Sequence, residues 1–168
     1  IKSALDPIYF MRNYCYIQHP VKGKMKFDLY PFQEKTLEAL KDNDYNIILK
    51  ARQLGISTLS AGYSLWLMNF HNDKNILTKV RVMHKMLPSW LSQSCIEDNK
   101  LSLRYKNGSQ IKAVSSTGEA SRSEALSLLL IDEAAFIKNI DDIWTASQQT
   151  LATGGKCIAL STPNGMGN

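Results

Sequence analysis

Three stretches of this chain carry polar residues of the kinds that handle phosphates and a metal ion, and each follows an apolar run. The first is KARQLGIST at 50–58. Between a strand and a helix, backbone N–H groups and the positive end of the helix can hold phosphate oxygens. Against the phosphate-loop pattern G-x-x-x-x-G-K-[ST], Gly55 takes the second glycine and Ser57 the hydroxyl that would bind Mg²⁺. Lys50 stands at the first glycine's place and Ile56 at the lysine's, so the strict pattern is not met. The charge must then come from the loop's own start, with Lys50 or Arg52 folding back over the β/γ-phosphates. An arginine there would be a forked, permanently charged clamp. Taken alone, a plain basic strand-to-helix turn would read the same way.

The second stretch is LLLIDE at 128–133, apolar residues followed by two carboxylates. One carboxylate, Asp132, suits holding Mg²⁺, and the next, Glu133, suits orienting and deprotonating an attacking water. The bland alternative is a strand followed by a helix with an acidic first turn. The third stretch is Ser161-Thr162-Pro163, whose hydroxyls could sense a γ-phosphate and pass its loss to a neighbouring segment. By itself it is only a turn.

These residues need elements to position them. The sequence predicts helices near 7–15, 31–41, 57–70, 78–91 and 141–152, with Leu37 and Leu40 on one face of the second. In the third, Leu59, Tyr63, Trp66 and Leu67 read as core packing. In the fourth, Val82, Met86 and Leu87 share a side and Pro88 breaks the helix. Buried strands are expected at 46–49, 127–131 and 157–160, with the start of another at 75–77. Alternating residues around Asn107-Gly108 predict a hairpin, 101–105 with 110–114. Strands alternating with helices imply an α/β fold with a mostly parallel sheet. In open sheets of that kind ligands sit at the carboxyl ends of strands, so the three stretches should meet in one crevice.

Composition sets wider bounds. The chain has 168 residues, 44% hydrophobic and 21% charged, as an ordinary globular domain does. It holds no apolar run of the ~18 residues a membrane span needs, and residues 1–10 do not read as a signal peptide. A cytoplasmic protein is expected. Three dispersed cysteines, Cys15, Cys95 and Cys157, argue against a disulfide framework, and Cys157 reads as a small buried residue. Cys15 and His19 are spaced like half a zinc site, without a second pair. A net charge of +5 weakly favours an anionic partner such as DNA. The basic clusters are Lys22, Lys24 and Lys26, and Lys79, Arg81 and Lys85; either could be a solvated face.

ARQLGIST at 51–58, LLLIDEAAF at 128–136 and STPNG at 161–165, in that order, resemble the ATPase domain of the large terminase subunits of tailed bacteriophages. Tyr30-Pro31-Phe32-Gln33 is similar to that family's adenine-contacting glutamine motif. MLPSWL at 86–91, KNGS at 106–109 and Arg122-Ser123 resemble it too. The resemblance implies an ASCE-type P-loop NTPase, a mostly parallel sheet flanked by helices, that hydrolyses ATP with Mg²⁺. It implies a homo-oligomeric ring, usually a pentamer at a portal, working with a small terminase subunit to drive double-stranded DNA into a procapsid in the host cytoplasm. By the same resemblance Gln33 contacts adenine, and Lys50, Arg52, Gln53, Leu54, Gly55, Ile56, Ser57 and Thr58 bind the nucleotide. Ser57 and Asp132 hold the metal, and Glu133 activates water with Arg52 assisting. Arg122 reaches into a neighbouring subunit's site, and Ser161, Thr162 and Pro163 form a coupling motif.

The resemblance divides the chain into a lead-in at 1–30 and an ATPase core at 31–168. The chain departs from the family pattern at Ile56, where many members keep a lysine. The stretch around Leu77 and Thr78 is too short for the strand and turn expected there, so a missing segment is expected at 77–78. The family's RNase H-like nuclease would lie past Asn168, and no nuclease activity is expected here. Two other readings stay open. One is a helicase-like P-loop motor, which would need a second motor domain. The other is a nucleotide-binding module that Ile56 has left without turnover.

Overall fold

The computed structural model describes residues 1–19, 21–70, 78–99, 101–113, 127–152 and 154–165. The strand expected at 75–77, the break expected at 77–78, and Arg122 and Ser123 lie outside these residues. Two compact units interleave along the chain: Ile1–Glu38 with Thr58–Ala113, and Ala39–Ser57 with Val114–Asn168.

The first unit opens with two short helices, α1 (Lys2–Leu5) and α2 (Pro7–Tyr14). Asp6 sets the start of α2, because its Oδ1 accepts the N–H groups of Ile8 and Tyr9 at 2.9 and 3.1 Å while Pro7 fills the first helical position. A two-stranded antiparallel hairpin follows, β1 (Tyr16–His19) and β2 (Gly23–Lys26). Helix α3 (Pro31–Asp42) begins here and buries Leu37 and Leu40, as expected. Most of α4 (Ile56–Phe70) belongs here too. Leu59, Tyr63, Trp66 and Leu67 are buried, and so are Ser60, Ala61, Ser64, Leu65 and Met68, so α4 is a central helix covered nearly all round.

Helix α5 is Thr78–Met86, shorter than the sequence suggests. Its buried side is Val80, Met83 and Leu87, and Val82 is exposed. Of the stripe expected from Val82, Met86 and Leu87, Leu87 is buried, Met86 is half-buried and Val82 faces out. The i, i+3, i+7 set starting at Val80 is the one that meets the core. A three-stranded antiparallel sheet completes the unit: β4 (Cys95–Asp98), β5 (Ser102–Tyr105) and β6 (Gln110–Lys112), ordered β4-β5-β6. The β5–β6 hairpin turns at Asn107-Gly108, where Gly108 takes φ +90°, a conformation open to glycine at little cost. Strand β4 had no clear sequence signal, since Cys-Ile-Glu-Asp neither alternates nor forms an apolar run.

The second unit is built on a parallel sheet of β3 (Tyr45–Leu49), β7 (Leu128–Asp132) and β8 (Lys156–Ser161), in the order β3-β8-β7. The central strand β8 buries Cys157, Ile158 and Leu160, whereas β3 leaves Tyr45, Ile47 and Leu49 exposed on one side. The expectation of a fully buried strand at 46–49 is thus corrected: β3 is an edge strand in the described sheet, and its apolar residues alternate between a half-buried and an open face. Helix α6 (Ile140–Leu151) packs beside β7. At the far end from the polar stretches, Lys156 closes the segment leading into β3. Its Nζ donates to the carbonyls of Lys41 and Asn43, each at 3.0 Å, and lies 3.3 Å from Asp44 Oδ1. A cation on the last carbonyls of a helix suits its negative end.

Because Leu160 is fully enclosed in the central strand, Leu160→Ala should lower stability by roughly 2–5 kcal/mol. Urea unfolding followed by circular dichroism measures this. A midpoint equal to that of the unmodified protein would mean that β8 is not the strand on which the sheet depends.

Candidate active site

The register of the parallel sheet brings three strand ends level. Leu49 pairs with Ser161 and Asp132 with Leu160, so β3, β7 and β8 stop side by side. The three polar stretches therefore emerge at one end of one sheet, as the sequence predicts. The N–H of Lys50 continues the ladder by donating to Ser161 O at 2.9 Å.

Glu133 is where the three stretches meet. It takes a left-handed backbone conformation, φ +55° and ψ +44°, between the strand and a single 3₁₀ turn, Ala134–Phe136. A non-glycine residue pays for that conformation, so the surroundings must hold it there. They do so with three donors. Lys50 Nζ donates to Oε1 at 2.6 Å, and Thr162 donates twice to Oε2, from its backbone N–H at 3.1 Å and its hydroxyl at 3.0 Å. These bonds, the one from Lys50 foremost, hold the Glu133 carboxyl down at about 2. The same turn is fastened to the end of β8 by Ser161 Oγ, which accepts the Ala135 N–H at 3.1 Å, and by Asn164 Nδ2, which donates to Ala135 O at 2.9 Å. Asn164 and the double grip of Thr162 were not foreseen in the sequence.

Asp132 faces the loop. Its Oδ1 accepts the Ser57 hydroxyl at 3.2 Å and lies 3.9 Å from Lys50 Nζ. A hydroxyl and a carboxylate oxygen at that separation are the hard donors that Mg²⁺ takes beside its waters. The loop itself bends through two left-handed residues, Gln53 at φ +64° and Gly55 at φ +72°. Turns of this kind bring successive N–H groups to one side and make a concavity suited to an anion. The N–H groups of the first turn of α4 have no partner within the helix and add to it.

The cation at the acids is Lys50, whose side chain is only 8% exposed, while Arg52 and Gln53 are exposed on the loop. Ile56 is buried, 3% exposed. It is a core residue at the start of α4, and the charge a lysine would have carried at that position is carried from the loop's first residue. Leu54 is exposed and Ser57 and Thr58 are half-buried. Pro163 follows Thr162 as an exposed residue. Gln33 lies in the other unit, buried at the start of α3, where its Oε1 accepts the Tyr30 N–H at 3.1 Å. Arg122 falls outside the described residues.

Glu133 stays ionised well below the ordinary 4.5, so its contacts stabilise the fold above about 4.5 and are lost as pH falls towards about 2. In an NMR titration of the Glu133 side-chain carboxyl, the midpoint should lie near the bottom of that window and move up in Lys50→Met. Equal midpoints in the two proteins would show that Lys50 does not hold the carboxylate.

No protein-family model matches the chain. Solved structures do. The large terminase of bacteriophage HK97 superposes with a TM-score of 0.71 at 19% identity, over 95% of this chain and 37% of that one. The large terminase ATPase domain of Thermus phage P74-26 superposes with a TM-score of 0.64 at 18% identity, over 84% of this chain and 67% of that one. This chain thus spans little more than a third of the HK97 protein. These likenesses show the fold: an α/β arrangement similar to that of the HK97 large terminase and of the P74-26 large terminase ATPase domain.

Proposed function

We propose that this chain is the ATP-hydrolysing motor domain of a large terminase, which translocates double-stranded DNA into a procapsid. The observation that carries the reading is the meeting of the loop, the acidic strand end and the 161–164 segment on one carboxylate, Glu133. In this reading the loop of Lys50, Arg52, Gln53, Leu54, Gly55, Ile56, Ser57 and Thr58 binds the phosphates, with Ile56 contributing backbone only. Ser57 and Asp132 hold Mg²⁺, which when bound neutralises charge on the phosphate oxygens. Gln33 meets the adenine. Arg122 serves a neighbouring subunit's site within a homo-oligomeric ring, a pentamer, that works with a portal and a small terminase subunit.

The resting contacts set the order of events. Glu133 paired with Lys50 is a weak base, since its carboxyl sits near 2. A phosphate group competes for the Lys50 ammonium. As Lys50 turns to it, Oε1 is freed, the carboxylate becomes more basic, and it can orient a water and take its proton. Arg52, exposed on the loop, is free to close over the same phosphates. Oε2 remains tied to Thr162, so a movement of Glu133 pulls on the segment Ser161, Thr162 and Pro163, and the site's occupancy reaches the rest of the chain by that route.

Phosphate release measured across rising protein concentration, together with binding of a fluorescent ATP analogue, tests the reading. Glu133→Gln should keep nucleotide binding and lose about 10²–10⁴-fold in turnover. Turnover per chain should climb with concentration, because an arginine supplied in trans is worth ~10³–10⁵ in rate. Equal turnover in Glu133→Gln would remove the base assignment, and a protein that binds no nucleotide would end the phosphate-loop reading altogether.

A further inference from the structure

Three lysines that the nucleotide chemistry leaves unused lie together on the first unit's small hairpin. Lys24 and Lys26 lie in β2 and Lys22 immediately before it, and all three are exposed. Alternate residues of a strand share a face and stand about 6.6–6.8 Å apart, so Lys24 and Lys26 lie on one side of the ribbon, and Lys22 adds its charge from the turn that leads into the strand. The register places Gln18 opposite Lys24 and Tyr16 opposite Lys26, which adds no acid to that face. Lys24 Nζ rests 4.4 Å from the centroid of the Tyr16 ring. Among the described residues none of the three lysines is paired with a carboxylate. The nearest acid along the chain, Asp28, lies past the end of the strand.

The other basic cluster of the sequence is arranged differently. On α5, Arg81 pairs with Asp98, and Lys85 Nζ lies 3.6 Å from the same carboxylate. Two of that cluster's three cations, Arg81 and Lys85, thus meet a carboxylate inside the unit, whereas the hairpin's charges do not. Lysines this close lie within the ~8 Å screening length of physiological salt and repel one another. Point charges spread along a ribbon and its turn complement a polymer of phosphates better than a single phosphate, which needs donors that converge. A lipid surface is a poorer fit, since Val21 is the large apolar side chain exposed at the hairpin's tip and an interfacial segment needs a whole apolar face. The turn is also held ready: His19 Nδ1 accepts the N–H groups of Val21 and Lys22, each at 3.1 Å. A fixed turn lowers the ordering cost of binding.

We infer that the lysine face of the β1–β2 hairpin is a contact surface for the phosphate backbone of double-stranded DNA, gripped without regard to base sequence. This places a DNA contact within the packaging motor and rests on that reading for the identity of its ligand. Lysine ammonium groups serve as point charges on phosphate, and the face holds no arginine to read guanine edges.

The experiment is fluorescence anisotropy of a labelled 30-base-pair duplex of arbitrary sequence, titrated with the full chain over a series of KCl concentrations. Each phosphate contact contributes about 0.9 to the slope of log K against log salt. The triple variant Lys22→Gln, Lys24→Gln, Lys26→Gln should therefore bind more weakly, with a slope shallower by up to about 2.7. The triple Lys→Arg variant should bind as the unmodified chain does, which separates charge from any damage to the hairpin. An unchanged slope and affinity in the glutamine variant would overturn the inference. So would a loss confined to vesicles rich in phosphatidylserine, which would make the face a membrane contact. A chain that binds ATP but no duplex would overturn the hairpin assignment and leave the motor domain standing. Lysine-dependent duplex binding by a chain that binds no nucleotide would keep the hairpin and refute the motor.

Discussion

An ammonium group almost shut off from water has to be matched by negative charge, and this condition organises the acidic end of the parallel sheet. Lys50 Nζ is met by Glu133 at 2.6 Å and by Asp132 at 3.9 Å. Leaving such a cation unpaired would be costly. Once Lys50 sits there, Glu133 has to turn its carboxylate back over the strand end, and its left-handed backbone follows. That turn puts Oε2 beside the start of the 161–164 segment, where Thr162 has a hydroxyl and a free N–H to offer. The bond that neutralises the lysine thus also ties the acidic strand to the strand between it and the loop.

Sheet order makes this possible. With β8 in the middle, the loop after β3 and the acids after β7 lie on either side of Ser161 and Thr162. Had β3 and β7 been direct neighbours, the loop could still have met the acids, but the 161–164 segment would have been at an edge. A central β8 puts that segment between the loop and the acidic strand end, bonded to both. Ser161 contributes from the same place, its hydroxyl accepting the Ala135 N–H and donating to Thr162 O at 2.8 Å.

Much of this was legible in the sequence because it depends on local pattern. Apolar runs marked β7 and β8, Asn107-Gly108 marked the hairpin, and the composition of the strand ends marked Lys50, Ser57, Asp132, Glu133 and Thr162. What was not legible depends on long-range contact. The buried phase of α5 is chosen by what packs on it, and Val82 and Val80 look equally suitable in a short helix. The open face of β3 could not be told from a covered one, because its residues are apolar on both sides. The choice between Lys50 and Arg52 as the cation at the acids also lay beyond the sequence. Both are basic and two residues apart, and only the direction of the chain leaving β3 sends Lys50 inward and Arg52 outward.

The placement of Lys50 bears on why Ile56 can stand where a lysine is usual. A lysine after the loop's second glycine would begin α4, and in this chain that position is enclosed. A charge there would have to be buried without a partner or pull the helix start away from the core. A lysine at the strand's end faces neither difficulty, because the acids of β7 are already across from it. The cost of moving the cation is a closer tie between it and Glu133, so that the resting carboxylate is held as a weak base. In the ATPase proposed above, a phosphate would have to draw Lys50 off before Glu133 could accept a proton. Under that proposal turnover would depend on phosphate binding through the carboxylate itself, with the lysine as the link, in addition to any dependence on substrate position.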